Sequence, residues 1–147
     1  MDNQDVIAML NDLLQITRDG EQGFQTCAEG VQSRHLKSAL EAAARHCAEG
    51  AAELEAKVRN LGGEPARGGS IGGSMHRAWT NVKSVITGMN EHAVLSECER
   101  GEDAAMAAYE AALKKSLPTD VRTLVERQYQ GVKANHESVR NLRTTAA

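Results

Sequence analysis

Aromatic side chains are nearly missing from this sequence: one Phe, one Trp and two Tyr among 147 residues. A core built with so few must be aliphatic and Ala-rich, which suits closely packed helices. β-branched residues are scattered rather than alternating, so no strand pattern appears. No apolar run approaches the ~18 residues that a membrane span needs. No block of Lys or Arg exists either: 17 basic and 20 acidic residues are interspersed, for a net charge of −3. That excludes strong attraction to a phosphate backbone or an anionic membrane, and a nucleic-acid reader's basic stripe with aromatics is absent. The start, Met1-Asp2-Asn3-Gln4-Asp5, is acidic where a secretion signal needs positive charge. There are only three cysteines, with no CxxC or Cys/His spacing for zinc. The expectation is a soluble, cytoplasmic single domain with no nucleic-acid or membrane partner.

What is present is an apolar seam repeated at steps of three and four. Its clearest copy is Leu36, Leu40, Ala43, Cys47, Gly50, Leu54, Val58, Leu61, which stops at Gly62-Gly63-Glu64-Pro65. A first copy runs Val6, Leu10, Leu13, Thr17, Gly20, Phe24, Cys27, Val31. A third runs Leu95, Cys98, Glu102, Ala105, Tyr109, Ala112. The fourth runs Val121, Leu124 or Val125, Gln128, Val132, Asn135, Val139, Leu142. The spacing predicts helices over 5–30, 33–61, 90–115 and 119–143, with Asp2 or Asn3, Ser33 and Asn90 as N-caps and a short polar tail. Cys27, Cys47 and Cys98 all fall on seam positions, where a free Cys behaves as a small buried hydrophobe.

Residues 62–73 are Gly-rich and mimic a phosphate loop, Gly63-Glu-Pro-Ala-Arg-Gly68-Gly69-Ser70. Gly69 stands where the phosphate-binding Lys must be, and a helix rather than a strand precedes it, so this is a linker. A shorter amphipathic helix is predicted over 74–87, with Met75, Trp79, Val82 and Ile86 on one face. The second helix is roughly 43 Å long at about 1.5 Å per residue. The link between helices two and three has nearly the same residue count, where a simple return turn needs only about 2–8. The chain is therefore expected to travel back along the bundle, so that the second and third helices run parallel. That is an all-α, ferritin-like four-helix bundle with one long crossover carrying a short extra helix.

The resemblance rests on Glu53-Leu-Glu-Ala-Lys-Val-Arg-Asn-Leu-Gly-Gly-Glu-Pro65, His76-Arg-Ala-Trp-Thr-Asn-Val-Lys83, Glu97-Cys-Glu-Arg-Gly-Glu-Asp103 and Leu124-Val-Glu-Arg-Gln-Tyr-Gln130. With these stretches the whole chain resembles the ferritin-like superfamily, and most of all a bacterial group of four-helix-bundle proteins whose domain has no assigned function. The superfamily's metal proteins hold two ions mid-bundle with one Glu from each of two helices and a Glu-x-x-His from each of the others. The resemblance implies that the first Glu should stand seven residues before Phe24, where Thr17 is found. Glu102, seven before Tyr109, matches. The second helix offers Cys47-Ala48-Glu49-Gly50, with both ligands absent. The fourth offers Val132 and Asn135 or, one residue later, Lys133 and His136. At best Glu102 and His136 survive of six ligands, and Lys133 would repel cations. The vestigial site level is expected at Thr17, Cys47, Gly50 and Glu102, refilled with small and apolar groups, with no resident cofactor.

Glu102 is then either a hydrogen-bonded core residue, with Thr17, Tyr109, Gln128 or Asn135 as partner, or a residual functional carboxylate. His35, His46, His76 and His92 read as surface residues. The first functional reading is a non-enzymatic bundle acting through its surface, as a homo-oligomer or with a protein partner, in a binding or stress-associated role. The alternative is an atypical iron or manganese protein, metal-binding or oxidoreductase, using Glu102, His136 and outer-face carboxylates such as Glu21, Glu49, Glu99 and Glu126. A thiol redox role through Cys47 needs an exposed, low-pKa thiolate, and a seam position argues against it.

Overall fold

A computed structural model describes residues 1–67 and 90–146. Among the described residues there are four helices and no strand: α1 (Asn3–Glu29), α2 (Arg34–Asn60), α3 (Glu91–Leu113) and α4 (Thr119–Ala146). None of these helices is long and apolar enough to cross a membrane. The short helix expected over 74–87, with Trp79 and His76, lies outside the described residues.

The caps explain the boundaries. Asp2 accepts a hydrogen bond from the Asp5 N–H at 2.8 Å, Ser33 from Leu36 at 3.3 Å and Asn90 from Ala93 at 3.1 Å, each relieving an orphan donor at a helix start. At the end of α2, Gly62 takes φ +86°, a conformation costly for any residue with a Cβ. There the N–H groups of Gly62 and Gly63 return to the carbonyls of Arg59 and Val58. The expected polar tail is instead helical: α4 continues to Ala146, because neither Gly nor Pro follows Gly131 to stop it.

The apolar seams assemble into two clusters, and these set the helix directions. One joins Leu10 and Leu14 of α1 to Leu54 and Val58 of α2, Ala112 of α3 and Val121 and Val125 of α4. The other joins Phe24 and Cys27 to Leu36 and Leu40, Val94 and Cys98, and Val139. So α1 is antiparallel to both α2 and α3, α4 is antiparallel to α3, and α2 and α3 run parallel. The chain leaving α2 already turns back along α1. The side chain of Asn3 donates to the Leu61 carbonyl at 2.9 Å, and that of Asn11 donates to Glu64 at 3.0 Å and accepts from Ala66 at 2.7 Å. The guanidinium of Arg18, further along α1, donates to the Ala66 carbonyl and to Glu55. The α1–α2 and α3–α4 pairs pack closely along their lengths, while α2 and α4 touch only sparingly.

Candidate functional site

The two apolar clusters are separated by a hollow. At mid-bundle the helices carry Gly20, Gly50, Gly101 and Ala105 where larger core residues would sit, and a cavity of about 290 Å³ remains. Ile16, Phe24 and Val132 give it an apolar wall. The most exposed lining residues are His46 and Glu49 of α2 and Arg127 of α4, which places the wider mouth at the sparsely packed α2–α4 seam. That seam is bridged beside the mouth by Arg127 to Glu53 at 2.7 Å. His46 lies so close to α4 that a Cβ on Gly131 would come within 2.6 Å of its Nε2. Gly131 is thus the residue that lets the imidazole close over one end of the mouth.

One set of polar groups crosses the hollow and satisfies itself. Thr17 donates to the Leu13 carbonyl at 2.7 Å, the usual back-bond of a helical Thr, and its hydroxyl is 3.3 Å from that of Tyr109. Tyr109 donates to Gln128 Oε1 at 2.9 Å. The Gln128 amide donates in turn to the Gly50 carbonyl at 3.1 Å and Glu53 Oε1 at 3.2 Å. Burial pushes the Tyr109 phenol up to about 12, against the Thr17 contact and with Cys47 and Glu53 adding. Burial would raise Glu53 too, but hydrogen bonds from Arg127 and Gln128 outweigh it and hold the carboxyl below its usual 4.5.

Glu102 is different. It is 4% exposed, and Asn135 donates to its Oε2 at 2.6 Å. Its Oε1 is buried with no partner among the described residues, and the residue is one of those that line the cavity. Burial pushes this carboxyl up to about 8, the Asn135 hydrogen bond opposing and Asp103 and Glu99 reinforcing. Glu102 is therefore mainly a neutral acid at pH 7. Cys47, across the hollow, is pushed up to about 12 by burial, then by Glu102 and Glu21.

Thr17, Cys47, Gly50 and Glu102 all line this one cavity, which is hollow and partly polar. The reason lies in the glycines. A Cβ on Gly20 would meet Cys47 Sγ at 3.3 Å, whereas one on Gly50 would find only ordinary contacts from 3.6 Å, so the helices do not collapse onto it. His136 is not brought to Glu102's free oxygen: its Nε2 meets Asp103 Oδ1 at 2.5 Å. Lys133 lies outside the hollow, 5.5 Å over the Tyr129 ring. Of the outer-face carboxylates, Glu99 pairs with Arg143, Glu126 with Arg122 at 3.9 Å, Glu21 lies near Cys47, and only Glu49 lines the cavity. Among the described residues no group of three or more His, Cys, Asp or Glu side chains is placed to hold a metal ion. The sequence reading missed His46, Glu53 and Arg127. Their signal was one of spacing: His46, Gly50 and Glu53 recur at helical steps along one edge of α2, but the partners on α4 are invisible without the fold.

Cys27 and Cys98 are fully buried, and Cys98 is pushed well above its usual value by burial and its hydrogen bond with Cys27. All three thiols should therefore react with a disulfide reagent roughly a hundredfold more slowly in native than in unfolded protein. Stopped-flow measurement checks this, and a fast native phase that disappears in Cys47→Ser would contradict the desolvation of the half-buried Cys47 thiol.

The family described as "Domain of unknown function (DUF2383)" matches residues 5–115, covering α1, α2 and α3 and stopping short of α4. The chain belongs to this family. No curated protein matches the chain.

Proposed function

We propose that this is a non-enzymatic, ferritin-like four-helix bundle that acts by binding, and that it holds a small, mainly apolar molecule in its mid-bundle cavity. The observation that carries the reading is the hollow itself: about 290 Å³ between two well-packed apolar clusters, with a few convergent polar groups and one perturbed carboxyl. A cavity of about 150 Å³ already admits benzene, so there is room for a substituted ring. The parallel α2 and α3 support the ferritin-like arrangement. The exposed large hydrophobic among the described residues is Met1, so the reading rests on the interior rather than an outer face.

The ferritin-like di-metal centre does not fit these residues. Thr17 and Gly50 offer no anionic ligand, the Cys47 thiol is held protonated, and Glu102 is a largely neutral acid. His136, the other candidate, is engaged by Asp103. Neither Cys47 nor Tyr109, both raised to about 12, is an activated nucleophile, which favours binding over catalysis.

Fluorobenzene followed by ¹⁹F NMR tests the reading. Saturable binding to the wild type, lost when Ala105→Leu fills the cavity, is the expected outcome. Equal binding to both proteins, or none to either, would overturn it.

A further inference from the structure

The polar groups of the cavity can be followed proton by proton. The Thr17 hydroxyl gives its proton to Leu13 and the Tyr109 hydroxyl to Gln128. The Gln128 amide gives both of its protons to α2. These groups need nothing from a ligand. Glu102 is left over. Its Oε2 accepts from Asn135, so the proton of the neutral acid sits on Oε1, the oxygen with no partner. A buried donor without an acceptor is costly, and the cost is relieved by any occupant that supplies one. Glu102 belongs to α3, on the far side of the hollow from the mouth between α2 and α4, so it would meet the inner end of a bound molecule.

Resting on the binding role proposed above, we infer that the occupant is a small, uncharged, largely apolar molecule carrying a hydrogen-bond-accepting oxygen, such as a ketone, which takes the proton of Glu102 Oε1. The apolar wall of Ile16, Phe24 and Val132 holds the body of the molecule, and Glu102 reads its oxygen. Specificity then follows from the rule that a site built to hydrogen-bond a group discriminates strongly against the analogue lacking it.

The surroundings of Glu102 keep this recognition selective for a neutral ligand. On α3, Asp103 and Glu99 reinforce its neutral form. Asp103 is engaged by His136 of α4, and Glu99 by Arg143. From α2 it faces Cys47, with His46, Glu49 and Glu53 at the rim, where Glu53 is paired with Arg127 of α4. Glu21 of α1 lies beyond Cys47. None of these is a free cation placed at the acid.

Three probes of one shape test the inference by calorimetry: acetophenone, ethylbenzene and the cationic 1-phenylethylamine. At pH 6 the wild type is expected to bind acetophenone at least about tenfold more tightly than ethylbenzene. The preference should fall towards unity above pH 8, because an ionised carboxylate no longer donates. Glu102→Gln keeps an N–H donor and should keep the preference while losing its pH dependence; Glu102→Leu should lose the preference. The carbonyl stretch of bound acetophenone should shift to lower frequency in the wild type and in Glu102→Gln, but not in Glu102→Leu. Equal binding of acetophenone and ethylbenzene would overturn the inference and leave the binding role standing. Preference for the amine would show that Glu102 acts as a carboxylate and overturn it as well. Binding of no probe would overturn both.

Discussion

Between pH 4.5 and 8 the folded protein is expected to lose stability on the order of 4 kcal/mol, and Glu102→Gln is expected to abolish most of that loss. The carboxyl of Glu102 titrates near its ordinary 4.5 in the unfolded chain but is pushed to about 8 in the fold. Across that window the native state holds a proton that the unfolded state has released, so stability falls as pH rises, at about 1.4 kcal/mol per pH unit. The contribution is complete below the unfolded value and gone above the folded one. Glu53 and Asp120, lowered in the fold, act in the opposite sense and in a different range: their contribution is present above the unfolded carboxyl value and lost as pH falls further. Stability should therefore peak close to pH 5. Urea unfolding at pH 5 and pH 8.5, for the wild type and Glu102→Gln, measures the effect. The variant should be the more stable protein at the higher pH, since a neutral amide keeps the Asn135 contact without a charge to bury. A flat wild-type profile over this range would mean that Glu102 is solvated.

Phe24→Ala should cost about 3–5 kcal/mol. Phe24 is the bundle's one Phe and is 1% exposed. It belongs to the cluster with Cys27, Leu40 and Val94 and also forms part of the cavity wall. Truncating it removes aromatic packing and joins the new void to an existing hollow that cannot collapse, so the loss should fall at the upper end of that range. The same change enlarges the cavity, so binding of an apolar ring larger than benzene should strengthen even as the protein weakens. Thermal unfolding with and without naphthalene separates the two effects. A cost below about 1 kcal/mol would show that Phe24 is not a wall between cluster and hollow.

How much of this could be read in advance depended on the range of the interaction. Helix boundaries are local, and Asp2, Ser33, Asn90 and Gly62 each announced themselves by residue type and position. The parallel course of α2 and α3 followed from chain length, since a segment long enough to span the bundle had no other economical path. The seam also placed Thr17, Cys47, Gly50 and Glu102 at one height, because steps of three and four count height along a helix. Whether that height was filled or hollow was not a matter of counting. It turned on how near Cys47 comes to Gly20 and how far Thr17 and Gln128 remain from Gly50, which are distances between helices. The partner of Glu102 was open for the same reason: four polar residues share its level, and only the rotation of α4 selects Asn135 while giving Tyr109 to Gln128. His46 read as a surface residue because its neighbours in sequence are polar, yet the glycine at 131 on another helix draws it over the mouth.

On the binding role proposed above, the middle of this bundle is a hollow made for an occupant rather than a stretch of packed core. A crystal structure of the protein with 4-bromoacetophenone tests it most directly, through the anomalous signal of the bromine. The ring is expected between α1, α2, α3 and α4 against Phe24 and Val132, with the carbonyl oxygen within hydrogen-bonding distance of the Glu102 carboxyl. A structure in which side chains close the space and the bromine lies elsewhere would contradict it.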